Sequence, residues 1–310
     1  MKLPLMYKYK PSTLQEFKMD ANLYTILLKM IELDTLNIIL MGGPGTGKSC
    51  LINLIIKEYY KSDSNDNILM LNNLKEQGIQ FYRTDVKYFC QTTCTSGKKK
   101  MIIIDDIDMI NEQNQQLFIN YINKYPNIHF VATGTNSQKI MEGIQSRLVS
   151  LKLHALSPSN LKEILTTITT TEHIDIDADA QETILSIANG SARMLINYLE
   201  KFKLLEQTIT NKMVDVSCTN IRFSTFNSYT TFVLDHNHVD ACKIMNTIHR
   251  EGYSGIDILD NYFLYIKAST LADTMKYKII KILCKYITIF NQIHEHPIEL
   301  MFFTLEICAI

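Results

Sequence analysis

No stretch of this 310-residue sequence is apolar over the roughly 20 residues that a membrane-spanning helix needs. The most apolar C-terminal stretch, Tyr277 to Phe290, is broken by Lys278, Lys281 and Lys285. The first residues, MKLPLMYKYKP, lack the uninterrupted apolar core of a secretion signal. Charge of one sign is also lacking, since 31 Lys and Arg stand against 32 Asp and Glu. That balance argues against a protein that meets nucleic acid with its whole surface and leaves room only for a local basic stripe. CxxC pairs are absent. The seven cysteines (Cys50, Cys90, Cys94, Cys218, Cys242, Cys284 and Cys308) are odd in number and widely scattered. This pattern suits a reduced, intracellular, soluble protein and not a disulfide framework. Cys90 and Cys94 could share a helix face, but a structural zinc site normally takes four ligands. There is no internal repeat and no low-complexity tail.

What is present is apolar material for a sizeable core, 46% of the residues, in a chain long enough for two or three domains. Asn37 to Met41 is a short apolar run ending at a glycine cluster, and Ser49 to Tyr60 then has helical character. A second apolar run, Met101 to Ile104, ends in two carboxylates, and a third, His129 to Thr133, ends at Gly134. Helix-like segments, Gly78 to Phe89 and Asn111 to Lys124, separate the runs. Strands alternating with helices predict a parallel sheet covered on both faces. After Leu153 the pattern becomes helical. Ser157-Pro158-Ser159 with Glu163 reads as a helix start, Asn189-Gly190 punctuates a helix pair, and Cys218 to Phe226 is a polar break. Boundaries near Leu153 and Val216 give the expected domains 1–153, 154–216 and 217–310.

Gly42-Gly43-Pro44-Gly45-Thr46-Gly47-Lys48-Ser49 fits GxxxxGK[ST], between a strand and a helix, with Cys50 next in line. Glycines let backbone N–H groups turn inward around phosphates, and the helix that follows points its positive end at the anion. Lys48 brings a cation to the β- and γ-phosphates, and the Ser49 hydroxyl is a Mg²⁺ ligand. The expected ligands are therefore ATP and Mg²⁺. The partner element is Met101-Ile102-Ile103-Ile104-Asp105-Asp106. Asp105 would hold Mg²⁺, directly or through water, and Asp106 would polarise the attacking water. Strands ending in Asp-Asp are common, and this one gains weight by following the P-loop at a domain-compatible distance.

Several further segments, in order along the chain, resemble the small subunits of the clamp loader replication factor C, of the AAA+ ATPase class. Lys8-Tyr9-Lys10-Pro11 with Thr13-Leu14 is similar to that family's KYRPxTL, and Leu71-Asn72-Asn73 with Gly78-Ile79 to its LNASDxxGI. Ile144-Gln145-Ser146-Arg147 matches the start of the IQSRC box, with Leu148 in place of Cys. Gly190-Ser191-Ala192-Arg193 resembles the GDxRxAI box of the lid, and Glu251 to Gly255 with Asp257-Ile258-Leu259 the collar segment GLSGxDxL. The resemblance implies an α/β P-loop AAA+ domain, a small helical lid and an all-α collar used for oligomerisation. It implies that Arg147 is an arginine finger reaching a neighbour's γ-phosphate and that Arg193 is a lid arginine acting in cis. Thr135 falls at or next to the sensor 1 position, with Asn136 the alternative. Asn72 would hold the catalytic carboxylate away from its water until DNA binds. Arg83 matches a basic position aimed at the template backbone, and Lys87, four residues on, shares its helix face. Implied partners are homologous subunits in a heteropentamer, a sliding clamp and primer–template DNA, at the nucleus or another site of replication.

The sequence also departs from that family. Asp105-Asp106-Ile107-Asp108 stands where relatives carry Asp-Glu, and aspartate reaches one methylene less far, so slow hydrolysis with intact nucleotide binding is expected. A basic pair of the next helix is replaced in Gln115-Gln116-Leu117-Phe118-Ile119-Asn120, although Gln115 matches a family glutamine that couples the DNA-facing helix to the ATP site. Lys98-Lys99-Lys100 reads as a solvated loop end. Tyr82, Tyr88 and Phe89 are candidates for core packing or for contact with a clamp. Alternatives to a hydrolysing loader subunit are a structural subunit that binds nucleotide but barely cleaves it, and another AAA+ replication ATPase.

Overall fold

Ile38-Ile39-Leu40-Met41 is apolar and buried at every position, the signature of an interior strand covered on both faces. A computed structural model describes residues 3–61, 65–71, 79–92, 97–205, 207–218, 221–269, 271–292 and 296–309. In it the five strands are β1 (Ile38–Met41), β2 (Ile68–Leu71), β3 (Lys100–Ile104), β4 (Ile128–Gly134) and β5 (Val149–Lys152). They form one parallel sheet in the order β2-β3-β4-β1-β5. The three expected strands are therefore its interior, and the two edge strands, β2 and β5, are additions to the expectation.

The chain divides into two compact units. One is Met1–Thr171 with Ala188–Glu200, and the other is Glu172–Ile187 with Lys201–Ile310. In the first, α1 (Leu5–Lys8) and α2 (Ala21–Glu32) precede the sheet, and α3 (Lys48–Tyr60), α4 (Ile79–Gln91), α5 (Glu112–Lys124) and α6 (Glu142–Gln145) connect its strands. Successive strand residues face opposite sides. Ile38, Leu40, Met101, Ile103 and Val131 join Leu27 of α2 and Leu51 and Ile55 of α3 in one core. Ile39, Ile102, Ile104, Phe130 and Ala132 join Val86 of α4 and Phe118 of α5 in the other.

Helices α7 (Pro158–Glu172), α8 (Ala178–Ala188) and α9 (Ala192–Leu205) follow β5. The second unit continues with α10 (Asn211–Cys218), α11 (Phe223–Leu234), α12 (His238–Arg250), α13 (Gly255–Ala268), α14 (Asp273–Gln292) and α15 (Pro297–Cys308). Its core is aromatic: Phe226, Tyr229, Tyr262 and Phe303 are buried together. Tyr229 donates to Thr304 at 3.2 Å, and the hydroxyls of Thr230 and Tyr262 lie 3.2 Å apart, so the buried hydroxyls are paired. Residues 217–310, expected to be all helical, are helical in every element described.

The lysine run is not a solvated loop end. Lys100 opens β3 and is buried, with Nζ donating to the Phe89 carbonyl at 3.1 Å and to the Thr92 hydroxyl. A cation there satisfies a carbonyl at the C-terminal end of α4, which the helix itself leaves unpaired. Lys99 pairs with Asp34 at 3.2 Å, and Lys98 donates to the Tyr59 carbonyl. Asp34 also accepts from the Tyr59 hydroxyl at 2.6 Å and lies 2.9 Å from Nε2 of buried His129. Phe89 packs partly into the core, whereas Tyr88 is exposed, and the side chain of Tyr82 lies outside what is described. Among the described residues no helix is long and apolar enough to cross a membrane.

Candidate nucleotide-binding site

Parallel strands end together, so the turns after β1, β3 and β4 meet on one edge of the sheet. Met41 pairs with Gly134, and Ile104 with Ala132. Thr133 is consequently the first residue of β4 beyond the last paired residue of β3, beside Asp105.

The turn after β1 is the P-loop. Gly45 and Gly47 have positive φ, +78° and +93°, and Gly47 caps α3. A side chain at either position would also displace a neighbouring one. A Cβ on Gly45 would lie 2.3 Å from the Ser191 hydroxyl, and one on Gly47 would lie 2.9 Å from the Phe17 ring. Thr46 closes the loop by donating to the Gly43 carbonyl at 2.9 Å. The first intrahelical bond of α3 runs from Leu51 N to Gly47 O, which leaves the N–H groups of Lys48, Ser49 and Cys50 without helical acceptors. Such a helix start suits an anion. Pro44 completes the loop. Lys48 folds back on it, with Nζ donating to the carbonyls of Gly42 at 2.8 Å and Gly43 at 3.0 Å. Burial lowers the Lys48 pKa, against the opposing pull of Asp106, Asp108 and Asp105. The Cys50 thiol is pushed up by burial.

Asp105 lies across from the helix start, with its carboxylate oxygens 3.3 and 3.5 Å from the Ser49 hydroxyl. A hydroxyl and a carboxylate converging there are hard oxygen donors that fit Mg²⁺, which completes its shell with water and substrate phosphates. Among the described residues there is no group of three or more His, Cys, Asp or Glu that could hold a metal ion by itself. Cys90, a conceivable zinc ligand by its spacing, is buried with its thiol pushed up to about 11 by burial, and Cys94 lies outside the described residues.

Asp106 adopts a left-handed backbone, φ +53°. Burial raises its pKa, and the neighbouring charges of Asp105 and Asp108 raise it further. Two site residues, Thr133 and Asp108, do not declare themselves in the sequence. The Thr133 hydroxyl donates to Asp105 Oδ1 at 2.6 Å and accepts from the Asp106 N–H at 2.8 Å. Asp108 accepts at one oxygen, Oδ2, from the Thr135 hydroxyl (2.6 Å), Thr135 N–H (3.1 Å) and Asn136 N–H (3.0 Å). Burial works to raise the Asp108 pKa, but these hydrogen bonds outweigh it and the net shift is down. A polar residue inside a strand of apolar neighbours is the one signal for Thr133, since a buried hydroxyl needs partners. Asn136 uses its side-chain oxygen locally, accepting from Gln138 N–H at 2.9 Å.

Arg193 stands exposed at the start of α9, and its Cβ is 3.8 Å from the Cβ position of Gly45. The preceding turn is fixed by Gly190, at φ +81°, whose carbonyl accepts from Leu156 N–H at 3.0 Å. Arg147 is not brought to the P-loop. It is exposed and donates to Asn123 Oδ1 at 2.7 Å and to the Gly143 carbonyl at 2.7 Å. Gln115 is fully buried. Its amide NH₂ donates to the carbonyls of Ile110 and Lys139 at 3.0 Å and Ile107 at 3.4 Å, and its oxygen accepts from Met141 N–H at 2.8 Å. Arg83 and Lys87 are exposed on α4. Asn72 lies outside the described residues.

The AAA domain family profile matches residues 35–165, which contain the P-loop, Asp105, Asp106, Asp108, Thr133, Thr135 and Arg147 but not Arg193. The replication factor C small subunit of Methanococcus maripaludis is 26% identical over 285 residues, covering 91% of this chain and 90% of that protein. Replication factor C subunit 4 of Oryza sativa subsp. japonica is 26% identical, covering 90% and 84%. Among solved structures, the Thermotoga maritima RuvB Holliday junction branch migration motor superposes with a TM-score of 0.54 at 18% identity, covering 72% of this chain and 79% of its own, a likeness of fold.

Proposed function

From a chain that carries an AAA domain and resembles replication factor C small subunits over about 90% of its length, we infer an ATP-hydrolysing subunit of a clamp loader. The observation that carries the nucleotide chemistry of this reading is the approach of Ser49 to Asp105, 3.3 Å, directly beside a P-loop in which a Cβ on Gly42 would lie 2.6 Å from the Leu153 carbonyl oxygen. Loop and helix N–H groups bind the phosphates, and Lys48 exchanges the Gly42 and Gly43 carbonyls for phosphate oxygens. Ser49 and Asp105 would hold Mg²⁺, which would supply charge neutralisation for the phosphates. Asp106 polarises the attacking water, Thr135 or Asn136 contacts it or the γ-phosphate, and Arg193 reaches the phosphates in cis. Arg147 serves a neighbouring subunit: its exposure and its anchors on Asn123 and Gly143 suit an outward role. An arginine in trans neutralises charge developing in the transition state.

In this reading residues 1–153 are the motor domain, 154–216 the lid and 217–310 the collar that joins homologous subunits into a pentamer. ATP binding shifts the ring toward a form that opens a sliding clamp, and primer–template DNA triggers hydrolysis and release. Arg83 and Lys87 meet the DNA backbone, and Asn72 restrains the catalytic carboxylate beforehand. One observation favours a second reading, a nucleotide-binding subunit with little hydrolysis of its own: Asp106 occupies the place of a longer glutamate. DNA-stimulated ATPase of complexes carrying Lys48→Ala in this subunit alone separates the two. A fall in rate supports the hydrolysing subunit, and an unchanged rate the structural one. A wild-type chain with no affinity for adenine nucleotides, alone or with its co-purifying partners, overturns both.

A further inference from the structure

Thr133 has no assigned part in the chemistry, yet its position is specific. It is fully buried near the end of β4, after Phe130, Val131 and Ala132, so its hydroxyl must be paired within the protein. Both partners are carboxylate-bearing residues of the site. The single hydroxyl hydrogen goes to Asp105 Oδ1 at 2.6 Å, and a lone pair accepts the Asp106 N–H at 2.8 Å. Both Asp105 oxygens lie near the Ser49 hydroxyl, Oδ1 at 3.5 Å and Oδ2 at 3.3 Å, and Oδ1 is the one that Thr133 engages, which leaves Oδ2 for a cation. The second bond holds the Asp106 backbone in its left-handed turn, φ +53°.

We propose that Thr133 is a positioning residue that orients Asp105 Oδ2 toward the Mg²⁺ of a bound nucleotide and fixes the backbone from which Asp106 projects. This rests on the nucleotide reading above. Groups that orient a metal ligand from behind act on metal affinity as well as on rate. The side chain that separates this role from packing is valine, which fills nearly the same volume without the hydroxyl.

The test is a titration of the full-length chain with a fluorescent ATP analogue, with and without Mg²⁺, for wild type, Thr133→Val and Thr133→Ser. For Thr133→Val the Mg²⁺ concentration giving half of the metal-dependent gain in affinity should rise by roughly tenfold or more. Nucleotide affinity without Mg²⁺ should stay at the wild-type value, and Thr133→Ser should restore the metal response. A Thr133→Val chain with wild-type Mg²⁺ dependence overturns the proposal while leaving the nucleotide reading standing. A wild-type chain that binds no nucleotide takes down both. If Thr133→Val does not fold, Thr133→Ala is read by the same two outcomes.

Discussion

The Thr135 hydroxyl donates to Asp108 Oδ2 at 2.6 Å, so the threonine expected to sense phosphate has its one hydrogen committed to a carboxylate two residues beyond Asp106. Thr135 can donate to a phosphate or be released from Asp108, but it cannot do the first without the second. Replacing Asp108 by Ala removes the acceptor for three donors at once. The expected cost is about 2–3 kcal/mol, read as a lower urea midpoint for the sheet-containing unit. Because the carboxyl pKa is depressed in the folded chain, its stabilising contribution is full above the ordinary value of 3.8 and is lost as pH falls through the folded value. The acid-unfolding profile of Asp108→Ala should therefore lack that part of the wild-type slope.

Asp106→Glu should raise the single-turnover hydrolysis rate of the assembled complex and leave nucleotide affinity unchanged. The extra methylene extends the carboxylate from a backbone that Thr133 already holds in place. A rate equal to wild type would reject the expectation that the shorter reach of Asp106 limits hydrolysis.

Arg147→Ala should leave nucleotide binding by the isolated chain as it is, because none of its hydrogen bonds is to the P-loop or to the acidic residues beside it. In the assembled complex the neighbouring site should slow on the order of 10³-fold, as expected for an arginine supplied in trans. Equilibrium nucleotide binding on the one hand and quenched-flow turnover on the other read the two effects separately.

Arg83→Ala and Lys87→Ala should each weaken primer–template binding to a similar degree for any sequence. Each phosphate that a variant no longer neutralises should make the slope of log affinity against log salt shallower by about 1. A change confined to particular template sequences would argue for base contact instead.

The interior of the sheet is legible in the sequence because β1, β3 and β4 are apolar runs ending in residues with unmistakable chemistry. The edge strands are not. Val149-Ser150-Leu151-Lys152 buries one residue of four, and Ile68 to Leu71 is only partly covered, so neither run stands out from a loop. At the site, residues that meet a ligand announce themselves by type and spacing, as Gly42 to Ser49 and Asp105 do. Thr133 and Asp108 act through other residues, and their partners, although near in space, are 28 and 27 positions away in the chain. Lys100 misleads for a related reason. A lysine at the end of a charged run looks solvated until the C-terminal end of α4 is placed beside it, offering the Phe89 carbonyl.

The buried amide of Gln115 clasps the stretch following Asp106 with one end and the stretch leading to Arg147 with both. Neither stretch can slide alone without stranding a polar atom in an apolar interior, at a cost of about 1–3 kcal/mol for each. A displacement of the segment beside Asp106 is thereby handed on to the segment that leads to Arg147 by one buried amide.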